Sequence, residues 1–377
     1  MADDQEQIGG RSPLTTNPVE PSNGKPSPEG RLAWMQEVGQ RRSSCREGWV
    51  RGNEYKEEGD FNSPHPSLPP RGEGANTELS LGFSLLYALV PLLVLLAATF
   101  FACILAYLMV TLWPDGPSFR TVIKKYSQVL LVLSIFPLMH WLKLTKFDLG
   151  FSPKPLFFKQ LWQGVGLGLI TLMPVFIVLY LLGVNSIDES KPWTLAWLSN
   201  KLAVELLLAM LISLFEEPVF RGILLVGLSR KFSTIGAISI SAFYYASLHF
   251  LNSKIQIPVQ ELHLFSGLQL LGDAFWQLFN PKITSAFLAL FIVGIFLGVL
   301  RTQINASLGL CIGCHACWVW QIKLNKSLFN TNPNSDHLYL VSSYDGVIGP
   351  LVTMWLAFAI AGYFLYRHLN KRFVINP

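Results

Sequence analysis

Apolar residues along this chain gather into long runs with few polar interruptions, separated by short polar connections. The runs lie at about 81–113, 126–142, 158–183, 196–228, 233–250, 283–300, 304–322 and 348–369. The hydrocarbon core of a bilayer takes roughly 20 apolar residues in helical form. The pattern therefore predicts an all-α, polytopic transmembrane bundle of about eight spans. The stretch 262–279 differs, because Leu264, Leu268, Leu271, Phe275 and Leu278 are interleaved with Gln and Asp. It predicts an amphipathic helix lying at the interface. No internal repeat is visible.

Ahead of the first run, residues 1–77 are polar and rich in Pro, Gly, Ser and charge, which predicts a disordered tail. Ser63-Pro64-His65-Pro66-Ser67-Leu68-Pro69-Pro70 within it is extended at best. Met35 or a later codon is an alternative start. The first apolar run begins near residue 80 and is too long for a cleavable signal peptide, so the first span would itself direct insertion.

Composition sharpens this picture. The chain is 51% hydrophobic and only 14% charged, against about 25% charged in soluble domains. The net charge of +5 hides a division: residues 1–77 hold nine basic and twelve acidic side chains, the rest twenty and twelve. A basic body suits cytoplasmic loops among anionic lipids. The basic residues sit at span ends and form no patch with interleaved aromatics, so nucleic acid is not an expected partner. Eight spans put both termini on one side. The connections of that side carry ten basic residues, Lys143, Lys146, Lys154, Lys159, Arg230 and Lys231 among them, against nine on the other; the first group crowds short loops, which favours the cytoplasm. The five cysteines (Cys45, Cys103, Cys311, Cys314, Cys317) form no disulfide framework.

Charge at the centre of a span costs roughly 2.5–3.5 kcal/mol per residue on insertion scales. The run 196–228 nonetheless contains Glu216-Glu217-Pro218-Val219-Phe220-Arg221. Glu217 and Arg221 stand four apart, share a helix face and can pair. Glu216 is turned about 100° away and is the freer carboxylate. Pro218 removes a backbone donor and tends to kink the helix. A buried ion pair that only fixes packing is the plain alternative, but it leaves the second Glu unexplained. Later runs carry His249 and His315. Singly, each suits a satisfied core histidine. Together with a buried carboxylate they could enclose a water-holding polar pocket. There a carboxylate of raised pKa serves as general base and an imidazole shares a proton or donates to an oxyanion.

The order Glu216-Glu217-x-x-x-Arg221, then His249 followed by Asn252, then Gly313-x-His315-Ala316, resembles the membrane-embedded CAAX-protease and bacteriocin-processing (CPBP, Abi) family, which includes the type II CAAX prenyl endopeptidases. The resemblance covers about 196–322. Together with the apolar pattern, it divides the chain into a tail (1–77), N-terminal transmembrane helices (78–195), a catalytic core implied by the resemblance (196–322), and a loop with a final transmembrane helix (323–377). It implies a hydrolase, an endopeptidase cutting a protein or peptide substrate at or in the membrane, in a bacterial inner (plasma) membrane. Glu216 and His249 would activate water, His315 would stabilise the oxyanion, and Glu217, Arg221 and Asn252 would support the site. The family places Asn or Asp four residues after the later histidine, where this chain has Val319. Losing one such donor costs about 10²–10³ in rate. Asn252 or Asn305 are candidate substitutes. A non-catalytic scaffold that binds a transmembrane partner is the competing reading, and a transporter a third, without paired halves to support it.

No cofactor is expected. Cys311-Ile312-Gly313-Cys314-His315 matches the c-type haem pattern but lies in an apolar span, where small cysteines packing against neighbouring helices is the simpler reading. No His-Glu-x-x-His occurs. A divalent metal at Glu216, His249 and His315 stays open. Gly164-x-Gly166-x-Gly168 reads as close helix packing.

Overall fold

The computed structural model describes the backbone of residues 79–375 and the side chains of 86–370; the tail and the alternative start lie outside the described residues. The chain there is almost wholly helical. In order run α1 (Leu79–Leu112), α2 (Phe119–Leu133), α3 (Ile135–Trp141), α4 (Lys154–Leu181), α5 (Leu195–Glu217), a π-helical turn (Pro218–Leu224) and α6 (Leu225–Ser229). Then come α7 (Thr234–Phe250), α8 (Ser266–Gln277), α9 (Thr284–Gln303), α10 (Leu308–Leu328) and α11 (Pro350–Ile375). The short strands β1 (Asn185–Ile187) and β2 (Phe329–Thr331) pair antiparallel, Ser186 opposite Asn330.

Among the described residues, six helical stretches are long and apolar enough to cross a membrane: Leu86–Leu112, Phe119–Trp141, Lys154–Leu181, Leu195–Ser229, Pro281–Gln303 and Pro350–Asn370. The other two expected spans are helices as well, but of a different kind. Helix α7 has 17 residues, and α10 carries His315, Gln321, Lys323, Asn325 and Lys326. From Leu308 to Trp318 every residue of α10 is buried, so protein rather than lipid surrounds this half of it. The interfacial helix expected at 262–279 is α8, which buries Ser266, Gly267, Leu270 and Ala274 and places Gly267 against Cys103 of α1.

Helices in lipid gain little from hiding apolar surface and associate instead through close packing and polar contacts. Both devices operate here. Helix α5 turns Leu206, Leu207, Leu211 and Phe215 outward while its buried residues, Glu205, Ala209, Ser213 and Glu217, recur every fourth position. Its inner face is therefore small or charged. Lys201 and Lys323 hold Glu205 at 2.8 and 2.9 Å, and Trp320 Nε1 donates to the Leu202 carbonyl at 3.0 Å, tying α5 to α10.

Glycine seams bring backbones together. On α4, Gly164 and Gly168 face α10; on α10, Gly309 and Gly313 face α4. A Cβ on Gly168 would stand 2.6 Å from the Cys317 Cβ, and one on Gly313 would overlap the Leu161 carbonyl. Helices α7 and α9 meet in the same way, Gly294 against Ala242 and Gly298 against Ile238. Gly166, grouped with its neighbours on sequence, has open space around it. The seam is anchored at the start of α10: Leu308 N donates to the Gly150 carbonyl at 3.0 Å, and Arg301 Nη2 to the Asp148 carbonyl at 2.8 Å. Gly150 makes that turn at φ 97°, with the Arg301 guanidinium against it.

Gly313→Ala is expected to destabilise the protein by about 1–3 kcal/mol through overpacking, whereas Gly166→Ala is expected to be neutral or stabilising by up to about 1 kcal/mol. Thermal unfolding of both variants in one detergent checks this.

Candidate active site

Helix α5 ends at Glu217, and Pro218 cannot donate to the next turn. The helix does not break there. It widens into the π-helical turn Pro218–Leu224 and then resumes as α6. Such π segments often occur at functional sites. The turn presents two adjacent carboxylates differently. Glu217 is fully buried, and Glu216 keeps 31% of its side chain exposed.

Glu217 is the hub. Its Oε1 lies 3.3 Å from Arg221 Nη1 and accepts a hydrogen bond from His315 Nδ1 at 2.7 Å. Arg221, 1% exposed, also lies 4.5 Å above the Tyr245 ring and 5.8 Å from the Phe220 ring centroid. Cation and carboxylate thus meet where water is scarce and each group's interaction is strong.

Hydrogen bonds define how the histidines face. His249, in the last turn of α7, has Nδ1 2.8 Å from the Tyr245 carbonyl. A carbonyl only accepts, so Nδ1 carries the proton and neutral His249 keeps its Nε2 lone pair. His315 commits Nδ1–H to Glu217, leaving Nε2 towards the Tyr245 hydroxyl at 3.4 Å. Both Nε2 atoms point at Glu216 Oε2, at 4.0 and 3.9 Å. That separation is too long for a direct hydrogen bond and suits one bridging water.

These groups line a cavity of about 400 Å³. Its walls include Leu172, Phe176, Leu290, Val293 and Trp318, and its charged side chains include Lys323, Lys326 and Asp345. Lys326 Nζ bonds Asp345 Oδ2 at 3.0 Å. The structure thus brings Glu216, Glu217, Arg221, His249 and His315 together from α5, the π turn, α7 and α10. It does not bring Asn252 or Asn305: both are exposed and neither lines the cavity, because each follows the end of its helix. Val319 does line it. Sequence reading gave no role to Tyr245, although its spacing of four from His249 placed both on one face of α7. Asp345 had no local signal, since it arrives on the loop after β2. Cys311, Cys314 and Cys317 are free and buried, in keeping with a packing role. Among the described residues, no three His, Cys, Asp or Glu are grouped to hold a metal ion.

The chain after His249 is tied down outside the spans. Asp273 of α8 accepts from Ser253 Oγ and Lys254 N, each at 2.7 Å. These bonds, led by that of Ser253, hold its carboxyl below the usual carboxylate value.

Fold and site together define a multi-pass helical membrane protein with a centre of two Glu, two His and one Arg, of which Glu217, Arg221 and His315 are buried and Glu216 and His249 partly open. Residues 198–321 match the family described as Rce1-like, type II CAAX prenyl endopeptidase Rce1-like. The match spans about a third of the chain, contains every residue of the cluster, and bears out the resemblance carried by the motif residues. A comparison with curated proteins and one with solved structures found no match.

Two predictions follow from the cluster and its support. Glu217→Gln leaves Arg221 buried without its counter-charge and is expected to cost about 3–5 kcal/mol. Glu216→Gln, at a half-open position, is expected to cost less than about 1 kcal/mol. Unfolding in detergent separates the two. A depressed carboxyl contributes stability above its unfolded pKa and loses it as pH falls through the folded one. The 251–262 segment is therefore expected to become protease-sensitive once pH drops below about 4, and Asp273→Asn to make it so at neutral pH.

Proposed function

We propose that this protein is a membrane-integral endopeptidase of the glutamate type, acting on a protein or peptide presented at the membrane. The observation that carries the reading is Glu216 Oε2, set within 4.0 Å of the Nε2 atoms of His249 and His315 on a cavity of about 400 Å³. The family match at 198–321 supports it.

In this reading Glu216 and His249 hold a water between them. As its oxygen bonds to the scissile carbonyl carbon, its proton passes to Glu216, and the carbonyl π pair moves onto oxygen. The C–N bond then breaks, and the proton goes to the leaving amine, giving a carboxylic acid and an amine. His249 orients the water through Nε2, an orientation set by its Nδ1–H bond to the Tyr245 carbonyl. Glu217 and Arg221 hold His315 in place. As an imidazolium, His315 donates from Nε2 to the oxyanion. The apolar walls accept hydrophobic substrate side chains.

One observation favours a non-catalytic scaffold: Val319 supplies no donor where the resembled family has one. Cleavage of membrane-tethered peptides by purified protein decides between the two. Wild type is expected to cut, Glu216→Ala and His249→Ala to lose about 10²–10⁴ in rate, and a chelator to have no effect. Loss of activity on chelation would point to a metal at Glu216, His249 and His315. A wild type that cuts no peptide would favour the scaffold.

A further inference from the structure

We propose that the hydroxyl of Tyr245 is an oxyanion donor of this site, supplying what Val319 cannot. The inference rests on the peptidase reading and concerns how that reaction is completed in this chain. Val319 stands one helical turn after His315 and lines the cavity with a side chain that has no N–H or O–H. Asn252 and Asn305 are exposed and away from the cavity.

Tyr245 has the required position and chemistry. It lines the cavity, is 2% exposed, and places its Oη 3.4 Å from His315 Nε2. Neutral His315 has spent its N–H on Glu217, so its Nε2 accepts and the tyrosine donates. The tyrosine has a single O–H, which reaches the oxyanion by turning from the Nε2 of neutral His315 to the substrate, or is free for it when the imidazolium donates to the tyrosine oxygen instead. With His315 neutral, the other polar groups lining the cavity around it are acceptors, the Glu216 carboxylate and two imidazole lone pairs, since Arg221 does not line it.

The ring is also held in place. Phe220 meets it edge-on, with ring centroids 5.1 Å apart and planes at 89°. The His249 ring lies 4.5 Å away, and the Arg221 guanidinium covers one face at 4.5 Å. With the ring fixed before reaction, only the O–H has to turn when charge develops, which keeps the reorganisation small. As the substrate carbonyl carbon accepts the water oxygen, its π pair moves onto the carbonyl oxygen. That oxygen accepts a hydrogen bond from Tyr245. The tyrosine keeps its proton, and the bond relaxes when the C–N bond breaks.

Tyr245→Phe tests this, because it keeps every ring contact and removes only the hydroxyl. Wild type, Tyr245→Phe, Tyr245→Phe with Val319→Asn, and Glu216→Ala are compared for peptide cleavage and for melting in detergent. Tyr245→Phe is expected to lower kcat about 10²–10³-fold, with KM and melting little changed. Adding Val319→Asn is expected to restore activity by placing an amide donor in the same cavity. Wild-type kcat in Tyr245→Phe, while Glu216→Ala is dead, overturns the role of the tyrosine and leaves the peptidase reading standing. A loss that follows a lowered melting temperature also overturns it. Absence of cleavage by wild type removes the peptidase reading itself, and the tyrosine's role with it.

Discussion

A carboxylate with no access to solvent holds this structure together at its centre. Glu217 sits between a guanidinium four residues along its own helix and an imidazole 98 residues away in sequence. Removing any of the three leaves a buried charge or donor without its partner, which is far more costly than never having buried the group. The interaction thus ties the π turn to α10 and sets the ring orientation of His315. That orientation leaves Nε2 pointing towards the neighbouring carboxylate, Glu216, whose other side opens to the cavity. Two adjacent glutamates consequently have different environments.

Such a hub requires helices that approach closely and interiors that tolerate charge. The glycine seams of α4 with α10, and of α7 with α9, provide the first. The second comes from the inverted polarity of α5, which gives its leucines to the lipid side and its Glu, Ser and Ala to the protein. Helix α10 shows the consequence. Enclosed by protein over its first half, it carries a histidine where lipid contact would forbid one. The same enclosure is why its polarity falls outside what an isolated membrane span would show.

The helical, membrane-spanning architecture was legible in the sequence because burial in lipid is a demand on each helix separately. Long apolar runs answer it whatever their neighbours are. The pairing of Glu217 with Arg221 was legible for a related reason, since a spacing of four is a local property of the helix. The motif order at Glu216, His249 and His315 carried the family resemblance without any geometry.

What only the tertiary structure decided concerns partners that no local rule connects. The bond from His315 to Glu217, the Tyr245 hydroxyl beside His315, and Asp345 beside Lys326 depend on the register of packed helices and on where loops return. Register is set by which small residues touch: Gly164 and Gly168 face α10, while a side chain at Gly166 would meet open space. Sequence order placed Asn252 near the site because it follows His249 closely, but α7 ends between them and the chain turns away. Proximity along the chain specifies proximity in space only while a helix continues; beyond its end, packing decides.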